Sequence, residues 1–276
     1  MSSVINDLNR LCIHTITTKA LSFEEACSKY AGFGIKGISI WRDAVEELPP
    51  WQVKDILGKN GLEAVSYVRG GFFPSVDEAK RKAAIADNIR MLQEASAMEI
   101  PLLVLVCGSD PAQSLQTSRD QIRKGIEEIL PEAGKQGVRL AIEALHPMYA
   151  DTRSAITSLK QANDMAEYFN QKSLGIAVDV YHLWFDEELE QEIERCGKNK
   201  HLFAFHICDW NVPTTDMLHD RGLMGEGCIP LKQIRRWVEK AGFSGYHEVE
   251  IFSHKFWSQD QDVFLEKIIH AYRHHC

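Results

Sequence analysis

The chain has 276 residues, of which 45% are hydrophobic, 25% charged and 9% aromatic. These are ordinary globular values, and they exclude disordered, collagen-like and low-complexity architectures. Lys and Arg total 31 against 39 Asp and Glu, a formal charge of −8, which speaks against a nucleic-acid partner because binding a polyanion draws on clustered cations.

Eight short β-rich runs follow one another, each trailed by a longer segment with helical spacing. LCIHTI from Leu11 precedes a helix opened by Ser22 with Glu25 three positions on, the spacing of a capping box, and Gly32 and Gly34 can end it. KGISIW from Lys36 and LEAVSY from Leu62 come next. Ser75 then opens the long segment SVDEAKRKAAIADNIRMLQEASAMEI, again with Glu78 at the third position, and Pro101 stops it. LLVLVCG from Leu102, VRLAIEAL from Val138, LGIAVDV from Leu174, LFAFHIC from Leu202 and YHEVEIF from Tyr246 complete the series.

No Gly/Ser linker or shift in composition interrupts these units, so residues 1–276 read as one domain. The runs alternate little, which indicates strands buried on both faces, as in a parallel sheet covered by helices. The pattern predicts the α/β class and a single (β/α)8 TIM barrel, with an open doubly wound sheet as the alternative. Seven scattered Cys without a Cys-x-x-Cys pair fit reduced thiols rather than a disulfide framework. The opening MSSVINDLNRL lacks the basic and apolar regions of a leader, and the apolar run near Leu102 is far short of the ~20 residues that span a bilayer. A cytoplasmic protein with no membrane partner is expected.

In such a barrel the active site lies at the C-terminal ends of the strands. The fifth run brings Glu143 and His146 there, the sixth Asp179 and His182, the seventh His206 and Asp209, and the eighth Glu248 and Glu250. Singly, each has a plain structural reading: Asp179 can cap the next helix, His146 and His182 can be loop imidazoles, and one of Glu248 and Glu250 can pair at the rim. Together they are harder to explain by packing, since buried charge is costly unless paired or metal-bound. Glu, Asp, His and Glu from four adjacent strands make an oxygen and nitrogen set suited to a divalent Mn²⁺, Co²⁺, Mg²⁺ or Zn²⁺ ion. Trp41 and Arg42, at the end of the second run, are candidates for a wall against a sugar and an oxygen-binding cation.

This order resembles the xylose isomerase-like TIM barrel superfamily in its sugar phosphate isomerase/epimerase branch. That branch includes D-tagatose and D-psicose 3-epimerases, inosose isomerases and dehydratases and, more distantly, endonuclease IV. DRGLMGEGCIP, Asp220 to Pro230, followed by a helix and GYHEVEIFS, carries the same resemblance. The resemblance implies that Glu143, Asp179, His206 and Glu250 hold one divalent metal ion, Mn²⁺ foremost, and that Glu143 and Glu250 also serve as the acid/base pair. Glu250 is preferred to Glu248 because it stands directly before the strand-exit residues. It further implies substrate contacts from His182 and Arg221, with His146 and Trp41 beside them. The implied partner is a small carbohydrate, and a homodimer is common in the resembling families.

The expected chemistry is isomerisation or epimerisation of a keto sugar or cyclitol through an enediolate, with the two Glu moving the proton. The same site can support a lyase, an inosose dehydratase or a 3-keto-glycoside eliminase. An endonuclease IV-like phosphodiesterase is the rival from another class. Its trinuclear zinc site needs Asp-Arg-His on the seventh loop, where this chain has Asp220-Arg221-Gly222, and further His where this chain has Cys107-Gly108-Ser109.

Overall fold

The computed structural model describes residues 5–276; Met1–Val4, the start of the segment read above for a leader, lie outside the described residues. Eight parallel strands close into a barrel: β1 (Leu11–His14), β2 (Gly37–Trp41), β3 (Glu63–Gly71), β4 (Leu102–Val106), β5 (Arg139–Glu143), β6 (Leu174–Asp179), β7 (Leu202–Ile207) and β8 (His247–Val249). Each pairs with its sequence neighbours, and β8 returns to β1 through Leu11 opposite His247. The closed ring replaces the alternative of an open sheet. Around it run α1 (Phe23–Gly32), α2 (Pro50–Asn60), α3 (Glu78–Ala97), α4 (Leu115–Gln136), α5 (Leu159–Phe169), α6 (Leu189–Lys198), α7 (Leu231–Lys240) and α8 (Gln261–His275).

Local signals account for most boundaries. Ser22 and Glu25 form the expected capping box of α1, which stops at Gly32. For α3 the reading was displaced: Asp77, not Ser75, accepts from Ala79 N and caps the helix. The helix also ends at Ala97, before Pro101 is reached, with Glu99 at φ +61°. Ser75 is bound instead to the α4 side, its N–H donating to Gln121 Oε1 at 3.0 Å.

The strand period of two explains how an apolar run carries a polar site. Outward residues such as Leu140, Ile142, Ile176, Val178 and Phe205 pack with the helices in one large core; each fully buried side chain of this kind stabilises the fold by about 1.5–3 kcal/mol. Inward residues Leu102, Val104, Ala141, Ala177 and Ala204 fill the barrel centre with Val68. Two positions on from those three alanines stand Glu143, Asp179 and His206, so one register places the small layer below and the polar layer at the mouth. All seven Cys are free, and only Cys228 is exposed. Among the described residues no helix is long and apolar enough to cross a membrane.

Candidate active site

The polar layer gathers at the C-terminal mouth. Glu143 ends β5, Asp179 ends β6, His206 lies near the end of β7, and Glu250 follows β8 directly. Asp179 is opposite His206 and His206 opposite Glu248, while Glu250 N–H donates to Ile207 O at 3.1 Å. One donor atom from each of Glu143, Asp179, His206 and Glu250 lies within 4.8 Å of the others, and all four residues are buried. Three carboxylates and an imidazole converging in so small a buried volume fit a divalent cation. His206 turns its Nδ1 toward Glu143 Oε1 at 2.9 Å, while its Nε2 lies 3.8 Å from Glu248 Oε2.

Electrostatics bind this cluster together. Burial raises the Asp179 pKa, Arg221 opposes this, and the nearby Glu250 and Glu143 charges add to the rise, leaving it above the usual carboxylate range. Glu250 goes the other way: burial is outweighed by His14 and Arg221, which hold it well below its ordinary value. Arg221 Nη1 donates to Glu250 Oε2 at 2.9 Å and to Asp179 Oδ2 at 3.2 Å. His206 is raised to about 10 although burial opposes it, chiefly by its hydrogen bond to Glu143, Nδ1 to Oε1 at 2.9 Å. Asp179 also caps the short helix Val180–Leu183 by accepting from Tyr181 N at 2.7 Å, the plain structural role read for it from the sequence.

His14, Ser39 and Ser66, beside this cluster, were not singled out from the sequence. His14, at the end of β1, lies 3.1 Å from Glu250 Oε1 and 3.2 Å from Glu248 Oε2, and its ring packs edge-on against His206 at 4.7 Å. Burial disfavours its charge, but the Glu250 charge and the close approach of both carboxylates raise its pKa on balance. Glu248, which shares the inward face with Glu250, accepts from Ser39 Oγ at 2.6 Å and Ser66 Oγ at 3.1 Å. It therefore supports His14 and His206 from beneath. Both hydroxyls meet its Oε2, which with His14 and His206 forms a second close group below the four-donor set at the mouth. The signal for His14 was present in LCIHTI, a lone imidazole in an otherwise apolar run.

A narrow cavity above the cluster is lined by Trp41, Arg69, Glu143, Arg153, His182, Arg221 and Glu250, among others. It thus brings together Trp41, His182 and Arg221 as expected. Burial and the Arg221 charge push His182 well below its ordinary pKa, and the neutral ring lies 3.2 Å from Arg221 Nη2. His146 stands outside this lining: its Nδ1 accepts from Met148 N at 3.1 Å, and its ring packs on Phe185 and Trp210. Arg42 is corrected outright. The 3-10 turn Arg42–Ala44 sends its guanidinium outward to Asp87 and Glu94 on α3, at 2.9 and 2.8 Å, so it is not a free oxygen-binding cation.

The loop after β7 closes over the cavity. Asp209–Trp210 and Arg221–Gly222 form a small antiparallel ribbon that places Arg221. Asp209 is a loop organiser, accepting from Gly225 N at 2.8 Å and Ile229 N at 2.9 Å. Between the ribbon strands, Leu218 lines the cavity and Met217 O accepts from Tyr181 Oη at 2.9 Å and from Tyr149 Oη.

Similarities to known proteins agree with this architecture. The inosose isomerase of Halalkalibacterium halodurans is 26% identical over 213 residues, covering 75% of this chain and 72% of that protein. Protein SMc04130 from Sinorhizobium meliloti 1021 superposes with a TM-score of 0.95 at 42% identity, over 98% of this chain and 99% of that one. The IolI protein solved with a bound zinc atom shares the fold, with a TM-score of 0.82 at 16% identity over 97% and 99% of the two chains. The pattern of the xylose isomerase-like TIM barrel family matches residues 27–270, and the chain belongs to that family.

Proposed function

We propose that the protein is a metal-dependent isomerase or epimerase of a keto sugar or cyclitol. The observation that carries this reading is the convergence of Glu143, Asp179, His206 and Glu250 within 4.8 Å at the barrel mouth. The similarity to an inosose isomerase supports it. A divalent ion held by these four side chains, Mn²⁺ foremost and Co²⁺, Mg²⁺ or Zn²⁺ as alternatives, would polarise a substrate carbonyl and acidify the adjacent C–H.

The chain's own residues supply the rest. Glu250, kept ionised by His14 and Arg221, can accept the proton from the carbon beside the carbonyl. Glu143 reaches the same space from β5 and can return a proton. Return to the original carbon from the other face inverts it, which is epimerisation. Return to the former carbonyl carbon, with the neighbouring hydroxyl proton passing to the carbonyl oxygen, is isomerisation. Arg221 and the neutral His182 would orient substrate oxygens, and Trp41 would cover an apolar face of the ring. Tyr149 and Tyr181, by holding Met217 across the mouth, would limit the access of water to the intermediate.

The test is solvent deuterium exchange into an inosose and into D-fructose. Wild-type protein is expected to exchange the proton next to the carbonyl of at least one of them, and Glu143→Gln to lose about 10²–10⁴-fold of the rate. Full exchange in that variant would overturn the role given to Glu143.

A further inference from the structure

We propose that Arg69 and Arg153 form an anion-recognition subsite beside the acid/base pair, so that the keto substrate carries a carboxylate or a phosphate group. This rests on the isomerase reading for where the reacting carbons lie, and it narrows the substrate class. Both side chains line the cavity that contains Glu143, Glu250 and Trp41. Among the described residues, neither guanidinium has a carboxylate within 4 Å or a hydrogen-bond acceptor. The other two arginines near the second and seventh strand ends differ, Arg42 being paired with Asp87 and Glu94 and Arg221 with Asp179 and Glu250.

The acidic side chains of the mouth have nearer partners. Glu143 meets His206, Asp179 and Glu250 meet Arg221, and Glu248 meets His14. Arg69 and Arg153 take no part in these pairs, and they lie closely enough that the Arg153 charge, after burial, acts to lower the Arg69 pKa against the weaker opposing pull of Glu143, Glu250 and Asp43. Holding two half-buried like charges together with no carboxylate in direct contact is unfavourable, and an anionic ligand group would relieve it. Guanidinium forks suit both carboxylate and phosphate, which they bind through paired N–H groups.

The guanidiniums are also positioned. Arg69 stacks over Trp41 at 5.3 Å and Phe72 at 4.9 Å, and Arg153 over Tyr149 at 5.5 Å; stacking on a ring face leaves the N–H edges free. Arg69 sits where the β3–β4 register shifts between Val68 and Gly70, an irregularity of the kind that re-aims a side chain at a barrel rim. Gly71 follows at φ +102°, where a Cβ would lie 2.0 Å from Val106 O. The Arg153 segment is tied to the same strand exit, since Gly108 N–H donates to Arg153 O and Ala155 N–H to Gly108 O, both at 2.9 Å. Gly108 has no room for a side chain, as its Cβ would lie 2.6 Å from Phe72 Cα. Both arginine-bearing segments are thus built on residues 106–108.

The experiment is calorimetric titration of the full-length protein, freed of metal by chelating resin, with D-sorbitol, D-gluconate and D-sorbitol 6-phosphate. At least one anion is expected to bind about 10-fold or more tightly than sorbitol, a difference of about 1.4 kcal/mol. Gluconate and sorbitol 6-phosphate separate a carboxylate from a phosphate preference. R69Q and R153Q should each reduce the anion-to-sorbitol ratio, and the double variant should nearly abolish it. R69K and R153K, which keep the charge but lose the fork, should retain part of it. Circular dichroism establishes that each variant is folded, and the single variants decide if the double one is not. The subsite is overturned if no anion outbinds sorbitol, or if the preference survives in the folded arginine variants. The polyols carry no carbonyl, so this result is separate from deuterium exchange: absence of exchange with a retained anion preference would remove the isomerase reading alone, whereas exchange without anion preference would remove the subsite alone.

Discussion

Asn88 offers a direct test of how the mouth is built. It is buried in α3, where its Oδ1 accepts from Gly71 N at 2.7 Å and its Nδ2 donates to Gly71 O and Ala84 O, each at 2.8 Å. Asn88→Ala removes all three bonds. The buried Gly71 N–H then lacks its partner, at about 1–3 kcal/mol, and the lost bonds to carbonyls add about 1 kcal/mol net. A total of about 2–4 kcal/mol would lower the melting temperature by about 4–8 °C in a chain of this size. Asn88→Asp is nearly isosteric, yet it turns an oxygen toward the Gly71 and Ala84 carbonyls, so it should destabilise at least as much as alanine. Thermal and urea unfolding followed by circular dichroism measure both. Because Gly71 follows Gly70 and Arg69, Asn88→Ala should also weaken the anion preference without changing either arginine. An alanine variant melting within about 1 °C of wild type, or an aspartate variant more stable than the alanine one, would refute the assignment of these bonds.

Arg221→Met leaves Asp179 and Glu250 buried without their shared cation, and should cost the metal-free protein about 3–5 kcal/mol, or about 6–10 °C in melting temperature. Adding Glu250→Gln should recover part of that loss, and an unchanged melt in Arg221→Met would contradict the charge matching. Removal of bound metal should lower the melting temperature, and Mn²⁺ or Zn²⁺ at about 100 times its Kd should restore about 2.7 kcal/mol; identical melts in verified metal-free and metal-supplied samples would reject the ion site. His247, buried at the other end of β8, has its pKa lowered from 6.5 by burial against the opposing pull of Glu239. Its depressed folded pKa means that the unfolded chain binds the proton more readily, so stability present above pH 6.5 is lost as pH falls. Between pH 7.5 and 5.5 the loss from this group is at most about 1.4 kcal/mol, and urea unfolding of His247→Gln should show that much less pH dependence; an equal slope would refute it.

The barrel was legible because its signals are local. All eight strands begin within one residue of the positions where β-rich runs begin, from Leu11 to Tyr246, since each run is apolar on both faces and each is followed by an amphipathic segment. The carboxylates and imidazole of β5 to β8 were legible for a related reason: ionisable residues at the ends of buried strands conflict with their surroundings unless something pairs them. The capping box of α1 was local too, whereas Ser75 was misplaced because a spacing alone does not say which of two nearby oxygens, Ser75 or Asp77, reaches the first free N–H.

What the chain order alone left open depends on closure and on side-chain direction. His14 comes from the first strand, and only the pairing of β1 with β8 brings it against Glu250 and Glu248, more than two hundred residues away in sequence. Trp41 and Arg42 are adjacent in sequence, but the chain turns between them, and one lines the cavity while the other reaches Asp87 and Glu94 on α3. Nothing in the sequence pattern marks Arg69, which lines the cavity where the β3–β4 register shifts, and Arg153 sits in a loop without any periodic signal. The sequence by itself determined the class, the count of units and which strand ends carry carboxylates and imidazoles, because hydrophobic period and strand ends are properties of contiguous residues. Tertiary structure alone decided which charges are matched and which are left free at the mouth, because neutralisation depends on distance in space between residues far apart in the chain.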